Sequence, residues 1–148
     1  MEMRLADNFL LSEFTNSQTA TRRGIDNTPP EGVVSNLRVT AAMLQAIRNK
    51  LGKPVVISSG YRSPELNRAV RGSPNSDHMR GNAADITVPG YGTPREVALA
   101  IIRHEIPFGQ LILEGTWIHI STERKAPQNR ILTARFNNGE VTYTPGIA

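Results

Sequence analysis

The sequence predicts a single domain of the α+β class, with helices packed on a small antiparallel sheet. One segment has apolar residues at steps of three and four, which indicates a long helix with one buried face. Several short apolar runs end at glycine, proline or asparagine, which is typical of strands joined by tight turns. With 148 residues and 39% hydrophobic content, the chain can bury the core that such a domain needs. We therefore take residues 1–148 as one domain.

The first third of the chain is predicted to be helical. Apolar groups around Phe9 and Phe14, and the segment that stops at Gly24, predict one or two short helical turns over the core. A long helix is then predicted to begin after the prolines at 29 and 30 and to end at Gly52. Its buried face is formed by Val33, Leu37, Ala41, Leu44, Ile47 and Leu51.

The remainder is predicted to alternate between strands and short helices. Buried strands are expected at 55–57 and 85–88, and a strand pair at 110–113 and 117–121. A short helix opens at Ser63, and a capping box at Thr93 starts another that runs to about His104. The segment 131–143 is predicted to be a hairpin that turns at 138–139, where Asn-Gly suits a type I′ turn.

Composition limits the classes of function. The chain has no cysteine, so a metal would have to be held by imidazole, carboxylate or carbonyl groups. No apolar run approaches the roughly 18 residues of a membrane span, so we expect no membrane insertion. The net charge is +4, but the basic residues are scattered and aromatics are only 5%, which argues against nucleic acid as a partner. The acidic start lacks the pattern of a signal peptide, so we expect synthesis in the cytoplasm and release by another factor.

The stretch from Ser76 to Asp85 contains the residues with the clearest chemistry. It offers a histidine, His78, and a carboxylate, Asp85, seven residues apart. Downstream, Glu114 and His119 supply a second carboxylate and a second histidine, and these four residue types can form a catalytic zinc site with a general base. We expect His78 on a turn and Asp85 at the start of a strand. Taken singly, each residue also fits an ordinary role, such as a hydrogen-bonded core histidine or a turn-forming aspartate.

A tight turn at 115–116 would organise the second pair. Glu114 would then lie opposite Trp117, and Ile112 opposite His119. Directly paired residues project to the same face, so Glu114, Trp117 and His119 would share one face. A carboxylate there could take a proton from the attacking water and pass it to the leaving amine. The alternative is an amphipathic hairpin with a solvated glutamate and a packed tryptophan.

The spacing of these residues resembles a known family. The pattern is Ser76-x-His78-x2-Gly81-x-Ala83-x-Asp85, followed by Trp117-x-His119. It is similar to the zinc D-Ala-D-Ala peptidases, which include D-Ala-D-Ala carboxypeptidases, vancomycin-resistance dipeptidases and phage L-Ala-D-Glu endolysins. That family shares its fold with the hedgehog signalling domain. Segments 24–30, 59–64 and 72–76 also resemble it, so the similarity covers about residues 8–121.

The resemblance implies one Zn²⁺ ion held by His78, Asp85 and His119. It also implies that Arg62 stabilises the developing oxyanion or holds the substrate carbonyl, a role that suits a planar guanidinium.

The resemblance further implies that Ser76 and Tyr61 line the substrate cleft, where the hairpin would add Trp117. Several relatives have the catalytic glutamate three residues before the second histidine, where this chain has Thr116. Glu114 is therefore the predicted general base, and Asp77 and Glu123 are the alternatives.

The implied activity is that of a zinc metallopeptidase that cuts peptidoglycan stem peptides, as a D-Ala-D-Ala carboxypeptidase or an endopeptidase, in wall lysis or remodelling. A basic single-domain chain of this kind is similar to phage or prophage lysis proteins, and we expect a monomer. One alternative is a non-catalytic metal-binding or wall-binding module with the same fold. The other is a non-haem iron oxygenase, which also uses two histidines and a carboxylate but usually places the first histidine and the acid nearly adjacent.

Overall fold

The computed structural model describes residues 2–122 and 129–148. It contains five α-helices in the described part of the chain: α1 (Leu11–Thr15), α2 (Gln18–Arg23), α3 (Glu31–Leu51), α4 (Pro64–Ala69) and α5 (Pro94–Arg103). The described strands are β1 (Arg4–Ala6), β2 (Phe9–Leu10), β3 (Val56–Ser59), β4 (Ala83–Thr87), β5 (Gln110–Leu113), β6 (Ile118–Ser121), β7 (Arg130–Asn137) and β8 (Glu140–Pro145). A short 3₁₀ turn covers Asp77–Arg80.

Helix α3 is the predicted long helix, and its apolar stripe is the centre of the core. Leu37, Leu44 and Ile47 on this stripe have no exposed surface. The helix ends where Gly52 takes the left-handed conformation, with φ of 72°, because glycine adopts that conformation without steric cost. None of the helices described is both long and apolar enough to cross a membrane.

The main sheet has six strands in the order β3-β4-β6-β5-β7-β8. All neighbouring pairs are antiparallel except β5 and β7, which are parallel. The prediction of an α+β class is confirmed, but the expectation of a purely antiparallel sheet is wrong at this pair. Both edges of β6 are already occupied by β4 and β5, so β7 pairs with the free edge of β5 instead.

Three further predictions need correction. The sequence did not predict the two-stranded sheet of β1 and β2, whose strands have only three and two residues and show no periodic pattern. Strand β3 is an edge strand rather than a buried one, and Val56 is 49% exposed. Strand β4 begins at Ala83, so Asp85 lies in its middle rather than at its start. A strand centre is a more rigid place for a functional side chain than a turn.

The two faces of the sheet differ in character. Ile86, Leu111 and Ile120 point to one face and join the core with residues of α3 and α5. Because side chains alternate along a strand, Asp85, Ile112 and His119 point to the opposite face. The helices therefore cover one face, and the polar cluster lies on the other.

Candidate metal centre

Strands β4 and β6 of the sheet place two of the predicted ligands side by side. Asp85 on β4 lies directly opposite His119 on β6, and its other neighbour is Ser59 on β3. Residues paired in this way project to the same face with their Cβ atoms about 4.5–5.5 Å apart. The backbone ladder therefore fixes the distance between the Asp85 carboxylate and the His119 ring.

The third predicted ligand, His78, comes from the 3₁₀ turn that precedes β4. The hydroxyl of Ser76 accepts a hydrogen bond from the backbone N–H of His78 at 3.2 Å and caps this turn. The turn ends at Gly81, which has φ of 77°. A Cβ atom at Gly81 would lie 3.0 Å from Val33 of α3, so both conformation and space favour glycine here. The turn thus packs His78 over the sheet, where it is 3% exposed.

The His78 ring is oriented by the backbone at the exit of β3. Its Nδ1 lies 2.7 Å from the carbonyl oxygen of Gly60, which can only accept a hydrogen bond. Nδ1 therefore carries the proton and donates, which leaves the lone pair of Nε2 directed at the cluster. Gly60 itself has no room for a side chain, because a Cβ atom there would lie 2.5 Å from the carbonyl oxygen of Phe14.

The donor atoms of the three residues converge. His78 Nε2 and His119 Nδ1 lie 3.3 and 3.0 Å from the same Asp85 Oδ1 atom. All three donor atoms lie within 4.8 Å of one another. A tetrahedral zinc with bonds of about 2.0–2.2 Å separates its ligands by roughly 3.3–3.6 Å, which is close to the distances of the two ring nitrogens from Asp85 Oδ1. Two imidazoles and one carboxylate are also the ligand types of catalytic zinc, and the residues present fit one such ion.

The charge state of Asp85 suits a metal ligand. Burial alone would raise the pKa of this carboxyl. The His119 and His78 rings, whose nitrogens lie 3.0 and 3.3 Å from Oδ1, outweigh that effect and hold the pKa of Asp85 well below its ordinary value. The side chain is therefore an anion at neutral pH and can offer a charged oxygen to a metal ion.

Arg62 lies against the outer oxygen of the same carboxylate. Its Nη2 is 3.6 Å from Asp85 Oδ2, while Oδ1 faces the two histidines. The Arg62 Nε donates to Ser59 Oγ at 3.2 Å, and its backbone N–H donates to the carbonyl of His78 at 3.1 Å. The guanidinium is therefore fixed at the edge of the cluster.

Asn67 on α4 is a residue that the sequence analysis missed. It is 3% exposed, and its Oδ1 accepts a hydrogen bond from Arg62 Nη1 at 3.3 Å. Its Nδ2 donates to the carbonyl of Ser73 at 2.9 Å. Asn67 thus connects Arg62 to the segment that leads into the 3₁₀ turn. We infer that it positions Arg62, and no local sequence pattern points to this long-range contact.

Replacement of Asn67 should show whether this residue positions Arg62 or only stabilises the fold. Asn67→Ala is expected to lower kcat about tenfold because Arg62 loses a partner that holds its guanidinium. Asn67→Asp keeps an acceptor for Arg62 and should retain more activity than the alanine variant. The measurements are zinc content, thermal unfolding and kcat on a substrate that the parent turns over. If the alanine variant melts earlier but keeps the parental kcat, Asn67 supports only the fold.

The hairpin of β5 and β6 has the register that the sequence predicted. Ile112 lies opposite His119, and the backbone N–H of Glu114 donates to the carbonyl of Trp117 at 3.0 Å. Glu114 and Trp117 consequently line a cleft of about 310 Å³ together with the three ligand residues. Burial raises the pKa of Glu114 above its ordinary value, and the nearby charges of His119, Asp85 and Arg62 modify this effect. A carboxylate with a raised pKa is a stronger proton acceptor.

Ser76 and Tyr61 occupy different positions relative to this cleft. Ser76 lies in its wall, but its hydroxyl already accepts the His78 N–H. Tyr61 is 5% exposed and lines an adjacent cavity of about 500 Å³ that shares Arg62 with the cleft. A contact between Tyr61 and substrate would therefore have to be made through the neighbouring cavity.

The other candidates for the general base, Asp77 and Glu123, differ from Glu114 in their surroundings. Asp77 lies in the cleft wall, where its Oδ1 accepts a hydrogen bond from Arg80 at 2.6 Å. Glu123 lies outside the described residues. His104 is exposed at the end of α5 and does not belong to the ligand cluster.

Tyr143 on β8 is a second residue that the sequence analysis missed. It lines the same cleft as Glu114 and Trp117. Burial raises the pKa of Tyr143, and the negative charge of Glu114 adds to this effect. Strand β7 pairs with β5 in parallel, and this pairing brings β8 to the edge of the sheet beside the cleft. No local sequence pattern predicts the pairing.

Comparisons with known proteins agree with this geometry. A family model described as Peptidase M15 matches residues 7–121, a range that includes all three ligand residues. The chain is also similar to the zinc D-Ala-D-Ala carboxypeptidase of Streptomyces albus G, with 38% identity over 82 residues. The aligned segment is 55% of this chain and 31% of that protein, so the chain spans about a third of the length of this relative.

Proposed function

Because the chain belongs to the peptidase M15 family, we propose that it is a zinc metallopeptidase that hydrolyses a peptide bond in the stem peptide of peptidoglycan. The observation that carries the proposal is the convergence of His78 and His119 on one oxygen of Asp85, with Glu114 on the same sheet face. The name of the Streptomyces relative supports both the metal and the substrate class.

Each residue of the cleft has a distinct task in this reaction. When bound, a zinc ion supplies Lewis acidity, which makes a water molecule acidic and polarises the carbonyl of the scissile bond. Glu114 accepts the proton that the attacking water loses and then delivers it to the nitrogen of the departing amine. Arg62 donates hydrogen bonds toward the negative charge that develops on the carbonyl oxygen. Trp117 lines the cleft beside Glu114 and would pack against the substrate, while its indole N–H is buried without a partner among the described residues.

We also propose the bond class, the oligomeric state and the biological setting that the sequence predicts. The bond can be that of a D-Ala-D-Ala carboxypeptidase or of an endopeptidase, because the same residues serve either reaction. Action as a monomer in a phage lysis system also stays a prediction. A non-catalytic module of the same fold is the second candidate. The presence of Glu114 and Arg62 beside the ligands favours catalysis, since a module that only binds metal needs neither.

Digestion of purified peptidoglycan tests the proposal. The zinc-loaded chain should release products that mass spectrometry of the muropeptides assigns to one peptide bond. Removal of zinc with a chelator should stop the release, and added zinc should restore it. If the zinc-loaded chain binds peptidoglycan but leaves every muropeptide intact, the chain is a non-catalytic module. If activity requires Fe(II) and oxygen instead, the oxygenase alternative is correct.

Replacement of Arg62 by lysine tests its share in catalysis. Lysine keeps the charge but loses the planar guanidinium that reaches Ser59, Asn67 and Asp85 at once. We expect kcat to fall on the order of tenfold or more, while zinc content stays at one ion per chain. Arg68→Lys on the exposed side of α4 is the matched control and should retain parental turnover. Parental turnover in Arg62→Lys would exclude the role.

A further inference from the structure

In the described part of the chain, the hairpin of β7 and β8 presents an exposed apolar face beside the metal cleft. Cross-strand pairing sets Phe136 opposite Val141 and Ala134 opposite Tyr143. Three of these side chains are large and exposed: Phe136 by 57%, Val141 by 45% and Tyr143 by 51%. We call Phe136, Val141 and Tyr143 the apolar flank. The hairpin lies beyond the residues that the family model matches, so the metal site alone does not account for it.

The apolar flank is continuous with the cleft. Leu132 on β7 lies opposite Ile112, which in turn lies opposite His119, so the apolar residues of β7 share the face of the ligands. Tyr143 lines the cleft itself. The Phe136 ring lies beside the turn that follows Glu114, because a Cβ atom built on Gly115 in that turn would be 3.6 Å from the ring. A substrate that fills the cleft would therefore extend onto the flank.

The uncharged surface of the flank suits the sugars of peptidoglycan better than its charged stem peptide. From Leu132 onward the site-facing residues of the hairpin are uncharged: Leu132, Ala134, Phe136, Val141, Tyr143 and Pro145. The charged residue of β7 on this face, Arg130, lies opposite Gln110, at the far end of the strand from Phe136. The stem peptide carries carboxylate and amino groups, which would be left unpaired on this surface at a cost. The sugars of the glycan are neutral once the peptide is attached, and they present C–H faces and acetyl methyl groups. A flat aromatic and aliphatic surface suits sugar rings better than a charged peptide.

The distance from β6 to β8 also matches the length of peptide that would separate the metal site from a sugar on the flank. Strand β8 lies three strands from β6 in the order β6-β5-β7-β8, which corresponds to about 14 Å at a strand spacing of ~4.8 Å. An extended peptide spans at most ~3.3–3.6 Å per residue, so four residues cover about 13–14 Å. A scissile bond four residues from the glycan would thus place the first sugar at the flank.

We propose that the apolar flank is a binding site for the N-acetylated sugars that carry the stem peptide. The inference rests on the proposed function, because it uses peptidoglycan as the substrate. It predicts that this chain prefers a stem peptide that is still attached to its disaccharide over the same peptide without sugar.

The test compares a disaccharide-peptide with the sugar-free peptide of the same sequence. Binding can be followed by the fluorescence of Trp117, the only tryptophan in the chain, which lies in the cleft. The parent should bind the disaccharide-peptide on the order of tenfold more tightly, as burial of one large apolar side chain allows. The double variant Phe136→Ser, Val141→Thr should lose this preference and bind the sugar-free peptide like the parent. Tyr143 stays unchanged because it also lines the cleft.

The control variant is Asn137→Ser, Thr142→Ala, which alters the opposite face of the same hairpin and should keep the preference. Equal binding of both substrates by the parent would overturn the inference. Equal weakening of both substrates in the Phe136→Ser, Val141→Thr variant would also overturn it and assign the flank to the peptide. Cleavage is measured in parallel: a parent that prefers the sugar-bearing substrate but cleaves neither supports the sugar site and refutes the proposed function.

Discussion

Replacement of Asp85 by asparagine should remove stoichiometric zinc and reduce peptidase activity by roughly a thousandfold or more, because metal catalysis contributes several kcal/mol. Asparagine has nearly the same shape, so the effect isolates the charge that lies between His78 and His119. Both ring nitrogens lie within 3.3 Å of one Asp85 oxygen, and the two rings hold the pKa of Asp85 below its ordinary value despite burial. Without that anion the site offers only two nitrogen ligands and a weakly held amide oxygen.

The two histidines should give the same result when each is replaced by alanine. His78→Ala also leaves a cavity and an unpaired Gly60 carbonyl, so thermal unfolding must be measured beside zinc content. His104→Ala is the control, because His104 is exposed at the end of α5 and should keep both metal and activity. If a folded His78→Ala or Asp85→Asn variant bound zinc as tightly as the parent, the ligand assignment would be wrong.

Replacement of Glu114 by glutamine should keep the zinc and the fold while lowering kcat by roughly a hundredfold or more, as loss of a general base does. Glutamine retains the size of the side chain and the hydrogen bond between the backbone groups of Glu114 and Trp117. It cannot accept the proton of the attacking water. The defect should therefore appear in kcat, and zinc content should remain at one ion per chain.

Glu140→Gln is the matched control for this experiment. Glu140 is also a strand glutamate, but it is exposed at the tip of the β7–β8 hairpin, so its variant should behave like the parent. A parental rate in Glu114→Gln would refute the assignment. The base would then have to be Asp77 or Glu123, and Glu123→Gln would be the next variant.

The features that the sequence predicted correctly depend on residues close together in the chain. The stripe of α3, the capping box at Thr93 and the turn at Asn138 are determined within a few residues. Asn138 and Gly139 have φ of 50° and 82°, as a type I′ turn requires. The two-residue turn at 115–116 determines that Ile112 lies opposite His119. The same turn places Glu114 opposite Trp117, so the position of Glu114 could also be predicted.

The features that were missed depend on contacts between distant segments. The parallel pairing of β5 with β7 follows from the occupied edges of β6, and Tyr143 reaches the cleft only through that pairing. Asn67 contacts Arg62 because α4 packs beside the exit of β3. Strand β1 is too short to show a period. Sequence patterns thus pointed to the residues that converge in the candidate metal cluster, but not to Asn67 and Tyr143 beside it.

The most direct measurement of the central claim is an anomalous difference map, recorded at the zinc absorption edge from crystals grown with zinc. The account predicts one peak at about 2.0–2.2 Å from His78 Nε2, His119 Nδ1 and an Asp85 oxygen. The Gly60 carbonyl should still accept the hydrogen bond of His78 Nδ1, because that contact fixes which nitrogen is free. A peak that is absent from this position, or that lies on other residues while the enzyme is active, would contradict the account.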